Sequence, residues 1–275
     1  MKKITTKSLV AVSALVLLSG IFYTGCQKKA TVDTDTSAAE DNSKAENSYS
    51  AVFRSVNENS DTTDKARSNC PLLSFVTTDT ATSPNGYPKT LTVDYGTTGC
   101  DGKTGSFKAE FTKPFHDSGC VVTVTYINYY DDGRLVSADK HTITNTGKNK
   151  SGNLVYTVNI TNGKLTSSAG SITWNTTRSI EWIEGSATLE DPSDDVFLVS
   201  GTTTGTTAKG VSYTAAIDTN TPLQIASACK WVESGTLTLT PKDKDPRVIN
   251  FGDTPACDDK ATVTIDKVVY NITMQ

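Results

Sequence analysis

Histidine is scarce: only His116 and His141 occur in 275 residues, alongside two methionines. That scarcity disfavours most zinc designs and any catalytic dyad built on an imidazole. The chain also lacks a Gly-rich phosphate loop, a Gly-x-Ser-x-Gly elbow, a His-Glu-x-x-His helix motif and a Cys-x-x-Cys pair. No cofactor and no catalytic residue is assigned on these grounds, and an enzyme is not the favoured class. Neither sign of charge dominates, with 26 Lys+Arg against 30 Asp+Glu. A nucleic-acid partner, which requires a basic face, is not expected. There is one long apolar run, so a multi-span membrane protein is excluded.

What the chain does have is threonine, 45 residues of it. Thr favours the half-buried surface of a strand, so the excess points to β-structure. The single apolar run, Ser8–Tyr23, follows Lys2, Lys3 and Lys7 and ends in Thr24, Gly25 and Cys26. A basic start, an apolar stretch and small residues form a secretory leader over 1–25. The cysteine after small residues resembles a bacterial lipobox, in which Cys26 is acylated, with Tyr23 where such boxes usually carry Leu. Anchoring to a membrane through lipid on Cys26 is the expected localisation, since each buried CH₂ contributes about 0.8 kcal/mol. Gln27, not Asp, follows it, which favours the outer membrane. Removing 1–25 takes away three lysines and no acid, leaving 23 basic against 30 acidic residues.

Residues 27–48 hold one apolar side chain larger than Ala, Val32. Such a stretch buries too little to offset its ordering entropy, so 26–69 reads as a tether. Within it Tyr49, Val52, Phe53 and Val56 fall at i, i+3, i+4 and i+7, which predicts a short helix over 44–57. From residue 70 to 275 the pattern changes to alternation. Val122, Val124 and Tyr126 oppose Thr123 and Thr125. Leu154, Tyr156, Val158 and Ile160 oppose Thr157 and Asn159. Leu237 and Leu239 oppose Thr236, Thr238 and Thr240. A period of two means half-buried strands. Asn85-Gly86, Asp132-Gly133, Asn162-Gly163, Ala169-Gly170 and Ser234-Gly235 mark turns. The expected fold is all-β, an antiparallel meander of about 13–15 strands after the short helix. Curved sheet, sandwich and open barrel all fit the pattern.

Five cysteines follow Cys26, and export makes pairing expected. Two segments repeat an order of landmarks. One runs from Cys70 through Pro88-Lys89 and Tyr95-Gly96 to Cys100-Asp101. The other runs from Cys229 through Pro246-Arg247 and Phe251-Gly252 to Cys257-Asp258. Each reads as strand, turn, strand with a cysteine at either end, which brings the ends together. Pairs Cys70–Cys100 and Cys229–Cys257 are expected, with Cys120 free. The rival arrangement joins Cys70 to Cys229 and Cys100 to Cys257.

Several segments carry a resemblance: CPLLSF (70–75), YPKTLTVDYGTTGCDGKTGSFKAEFT (87–112), VVTVTYINYY (121–130), ITWNTTRSIEWIEG (172–185), DDVFLVSGTTTG (194–205), CKWVESGTLTL (229–239) and NFGDTPACDDKATVTI (250–265). Together they resemble a group of uncharacterised lipoproteins of Bacteroidota. The resemblance implies a lipid-anchored envelope protein and brings no activity, ligand or catalytic residue with it. Cys120 departs from the group. The lineage also implies O-glycosylation at short sequons, which Asp61-Thr62-Thr63 and Asp79-Thr80-Ala81 match.

Four features suggest chemistry. Glu181 and Glu184 flank Trp182 as a carboxylate pair would in a glycosidase, but i and i+3 fall on opposite faces of a strand. Asp131-Asp132, Asp194-Asp195 and Asp258-Asp259 could ligate Ca²⁺, yet a turn explains each without metal. Cys120 lies four residues from His116, and a small core residue is the simpler reading. Tyr126, Tyr129, Tyr130, Trp174, Trp182 and Trp231 could form a sugar-stacking platform, and adjacent Tyr129 and Tyr130 are its best exposed members. Three function classes follow: a binding or structural module taking a glycan or an envelope protein, an envelope lipid carrier or chaperone, and a polysaccharide hydrolase.

Overall fold

The chain divides into two units, Met1–Val32 and Asp33–Gln275. The computed structural model describes residues 33–60, 70–77, 86–189 and 191–274. Cys26, its leader and both glycosylation sequons lie outside those residues.

Among the described residues, one α-helix, α1 (Ser37–Asn59), precedes sixteen strands. The first eight are β1 (Leu72–Thr77), β2 (Lys89–Asp94), β3 (Lys103–Phe111), β4 (Val121–Asp131), β5 (Arg134–Ser137), β6 (Lys140–Lys148), β7 (Leu154–Ser167) and β8 (Gly170–Glu184). Then come β9 (Val196–Thr206), β10 (Ser212–Ile217), β11 (Leu223–Ala226), β12 (Val232–Ser234), β13 (Thr236–Pro241), β14 (Arg247–Asn250), β15 (Lys260–Ile265) and β16 (Val268–Thr273). All belong to one antiparallel sheet, ordered β1-β2-β3-β4-β5-β7-β8-β9-β10-β13-β14-β15-β16. Strand β6 continues the β5 position between β4 and β7, and β11 carries β12 beside the first half of β9. The all-β expectation holds, and the shape is a single open sheet with β1 and β16 as its ends.

The alternation places one row of each strand inward. Leu91 and Val93, Phe107 and Ala109, Val122 and Val124, Tyr156 and Val158, Leu237 and Leu239 are all buried. They face α1. The helix is covered on every side: Tyr49 stacks on Trp174 at 5.0 Å, and Phe53 meets Tyr156 at 5.7 Å and Phe197 at 5.3 Å. Those apolar residues are the ones whose spacing predicts a helix.

The helix, Ser37–Asn59, is longer than that spacing predicts and takes up most of the described residues 33–60 of the expected tether. Its polar side chains are buried against partners on the sheet. Asp41 accepts from the Ala208 amide at 2.8 Å, and Asn42 accepts from Trp174 Nε1 at 3.1 Å. Glu46 takes a two-pronged pair from Arg178 at 3.2 and 2.7 Å. Ser48 donates to Asp131 at 2.6 Å, and Asn57 to Asp195 at 2.7 Å. Ahead of the helix, buried Arg247 binds Asp33 and the Asp35 carbonyl. These partners offset much of the cost of burying a polar helix, and they lie 83–214 residues away in sequence.

The turn signals divide. Asp132 (φ 46) and Gly133 (φ 75) form the two-residue hairpin between β4 and β5, as Asp-Gly predicts. Asn162-Gly163 is no hairpin. It is a bulge inside β7, where the register shifts between Ile160 and Gly163. A Cβ on Gly163 would stand 2.7 Å from Tyr49 Oη, so the bulge gives α1 its room.

Both expected disulfides are present, Cys70–Cys100 and Cys229–Cys257, and Cys120 is free and buried. The first closes around β1 and β2. The second encloses three strands, β12, β13 and β14, because Gly235 (φ 101) turns the chain from β12 into β13.

Candidate binding face

The outward row of the central strands is threonine, serine and asparagine. Registers align it across the sheet. One row runs Asn175, Thr204, Thr214 and Thr240 over β8, β9, β10 and β13. The next runs Asn159, Thr177, Thr202, Ala216 and Thr238 from β7 to β13. A third holds Thr173, Thr206 and Ser212. None of these side chains is charged. Sheet geometry sets them about 4.8 Å apart across strands and about 6.8 Å apart along them.

A groove of about 850 Å³ opens on this face. Its floor holds Thr173, Asn175, Thr204, Thr206, Ser212 and Thr214, and its rim is the turn Lys242–Asp245. Gly205 lies in the inward row between Trp174 and Tyr213, and a Cβ there would meet the Tyr213 ring at 2.4 Å, so its absence makes room for that ring under the groove floor. Tyr213 is buried beneath, and burial holds its phenol protonated. Of the rim charges, Lys244 is committed to Asp33 at 3.3 Å and Asp35 at 3.1 Å. The floor of the groove therefore offers hydroxyl and amide groups that both donate and accept, with methyl groups between them.

The residues singled out from sequence fall elsewhere. Tyr129 is fully buried, packed against Tyr95, Phe107 and Tyr126, so it cannot bind a ligand with Tyr130. Asn128 (φ 47) breaks the alternation just before it, and Tyr129 turns inward. Tyr130 is 38% exposed on the outside. Trp174 and Trp182 are core residues, and half-buried Trp231 lies under Lys230 at 4.6 Å. The stacking platform does not assemble. The hydroxyl face was visible only as composition, because which strands stand side by side decides whether threonines form a surface.

The remaining candidates serve the fold. Glu181 Oε1 accepts from Asn149 and Asn153, both at 2.7 Å, and a bulge follows between Trp182 and Glu184. Asp132 pairs with Lys230 at 2.9 Å. Cys120 donates to the Lys113 carbonyl at 3.1 Å, and burial pushes its thiol pKa up. His116 Nδ1 lies 2.9 Å from Tyr156 Oη. His141, wholly buried against Tyr126, has its pKa lowered by burial to about 3 and is neutral.

Asp195 is the titratable exception. It receives Trp182 Nε1 at 3.1 Å and Asn57 Nδ2 at 2.7 Å, tying the end of α1 to the sheet. Burial raises its pKa from 3.8 to about 6, with Asp194 adding to the rise and His116 opposing it. A carboxyl raised in the fold stabilises most when protonated. Its contribution is full below the unfolded value near 3.8 and is lost as pH climbs through about 6. Relative to Asp195→Asn, the natural chain should therefore gain on the order of 2–3 kcal/mol between pH 7 and pH 4. Urea unfolding of both chains across that range checks this. Parallel pH curves would assign the sensitivity to other groups.

No helix among the described residues is long and apolar enough to cross a membrane. The closed disulfides are the chemistry of an oxidising compartment outside the cytoplasm. No protein-family model, curated protein or solved structure matches the chain.

Proposed function

We propose that the chain is an exported envelope protein, lipid-anchored through Cys26 at the outer membrane, whose β-sheet body is a binding module for an uncharged polar ligand of the glycan class. The observation that carries the reading is the groove over β8, β9, β10 and β13, whose floor is uncharged hydroxyl and amide groups and whose charges sit on the Lys242–Asp245 rim. Its volume falls within the range of about 300–1,000 Å³ usual for ligand sites. Threonine and asparagine match sugar hydroxyls as donors and acceptors, and threonine methyls cover the C–H patches of a pyranose ring. The leader, the resemblance to Bacteroidota lipoproteins and the disulfides support the address.

The carrier reading needs an open apolar trough, and α1 is packed against the inward residues of the sheet. The hydrolase reading needs two facing carboxylates, and Glu181 is held by two asparagines. Both are less well supported than the binding module.

A glycan array and a pull-down from outer membranes test the proposal, using the natural chain and Thr204→Arg and Thr214→Arg variants. Binding should weaken at least about tenfold in each variant, equivalent to 1.4 kcal/mol, with the circular dichroism spectrum unchanged. Binding untouched by both substitutions would move the site off this groove. Silence of the natural chain in both assays would remove the binding reading.

A further inference from the structure

Among the described residues, the two ends of the sheet are not protected as sheet ends usually are. A free edge presents unpaired N–H and C=O groups, and soluble proteins blunt it with charge, proline, a bulge or a covering element. Strands β1 (LLSFVT) and β16 (VVYNIT) carry neither charge nor proline, and each pairs through six consecutive residues without a register shift. Among the described residues, each has a hydrogen-bonded neighbour on one side only, β2 and β15 respectively.

Apolar exposure gathers at these ends. Among the described residues, four of the eight exposed large hydrophobic side chains lie on these two strands. Leu72 and Val76 are 55% and 62% exposed on β1, and Val268 and Val269 are 45% and 60% exposed on β16. A fifth, Val248, stands on β14 in the same outward row as Thr264 and Val269. The inward rows are also left short. Leu73 and Phe75 of β1 and Tyr270 of β16 touch the core but are only half-buried, since no next strand covers them. A groove of about 880 Å³ lies at the paired ends of β14, β15 and β16, lined by Asn250, Phe251, Thr262, Asn271 and Thr273 with Asp258 and Lys260 beside them.

We propose that β1 of one copy adds to β16 of the next, so that the sheet continues from molecule to molecule. The occupant is a second copy because each chain carries both halves of the match. The edges are equal in length and uncharged, each exposes two large apolar side chains, and both are under-covered inside. Backbone bonds supply the affinity in such strand addition, and side-chain pockets supply the choice of partner. The added strand would cover Leu73 and Phe75 with Tyr270 and Ile272. Because two different surfaces meet, the contact is head-to-tail and gives a ring or a filament rather than a closed two-fold dimer.

Cross-linking of the full-length chain in intact cells tests this, with a short bismaleimide and cysteines placed at Ser74→Cys and Asn271→Cys. The chain carrying both should give a ladder of multimers. Chains carrying one of them should stay single, as should the natural chain, whose Cys120 is buried. Adding Val76→Lys or Val269→Lys to the double-cysteine chain should reduce the ladder at least about tenfold by placing a charge on an edge. No ladder from a normally exported double-cysteine chain would overturn the proposal. So would dimers from the Asn271→Cys chain alone, which would show β16 meeting its own copy. The cysteine arm decides the question even where a lysine variant fails to fold.

Discussion

Replacing Glu46 with Ala should lower the free energy of unfolding by about 3–5 kcal/mol, because it leaves the Arg178 guanidinium buried without its counter-charge. Both side chains are 3% exposed, and the pair is bidentate at 3.2 and 2.7 Å. Arg178 also lies over the Trp174 ring, 5.5 Å from its centroid, so it cannot swing to water without disturbing the stack of Trp174 on Tyr49. The double change Glu46→Leu with Arg178→Met should recover most of the loss, since an apolar pair of similar size avoids both desolvation penalties. Urea unfolding of the four chains in a double-mutant cycle measures the coupling. A loss below about 1 kcal/mol in Glu46→Ala would mean that water reaches Arg178, as in a surface pair.

Opening the disulfides should have an effect of similar size. The bridges close loops of 30 and 28 residues, and each closure restricts the unfolded chain by about 3–4 kcal/mol in the chain-entropy description. The loops do not overlap in sequence, so the losses in Cys70→Ser/Cys100→Ser and Cys229→Ser/Cys257→Ser should nearly add. Denaturant midpoints of both variants and of the reduced natural chain provide the comparison. An unchanged midpoint on reduction would show that the hairpins hold their ends together without the sulfur bridge.

The strands were legible because burial on one face leaves a period of two in the sequence. The disulfides were legible because two segments repeat the same order of landmarks. The apolar face of α1 was legible from Tyr49, Val52, Phe53 and Val56. Its other face was not. Asp41, Asn42, Glu46 and Ser48 look like solvated residues until Ala208, Trp174, Arg178 and Asp131 are brought beside them. Asn162-Gly163 has the chemistry of a hairpin, and only the approach of Tyr49 shows why it became a bulge. Tyr129 faces inward because of one positive φ at Asn128, which strict alternation does not foresee. The groove face required the order of β8, β9, β10 and β13, a property of topology that no single strand records.

Synthesis delivers α1 long before its surroundings exist. While a nascent chain emerges from the ribosome, residues 37–59 must wait for Trp174, Arg178 and Asp195, and the acid at Asp33 must wait for Arg247, 214 residues later. The polar make-up of the helix suits that wait, since a segment bristling with Asp, Asn, Glu and Ser stays soluble while alone. Closure is then a late, long-range event, and a polypeptide cut short before β14 cannot fasten its own beginning.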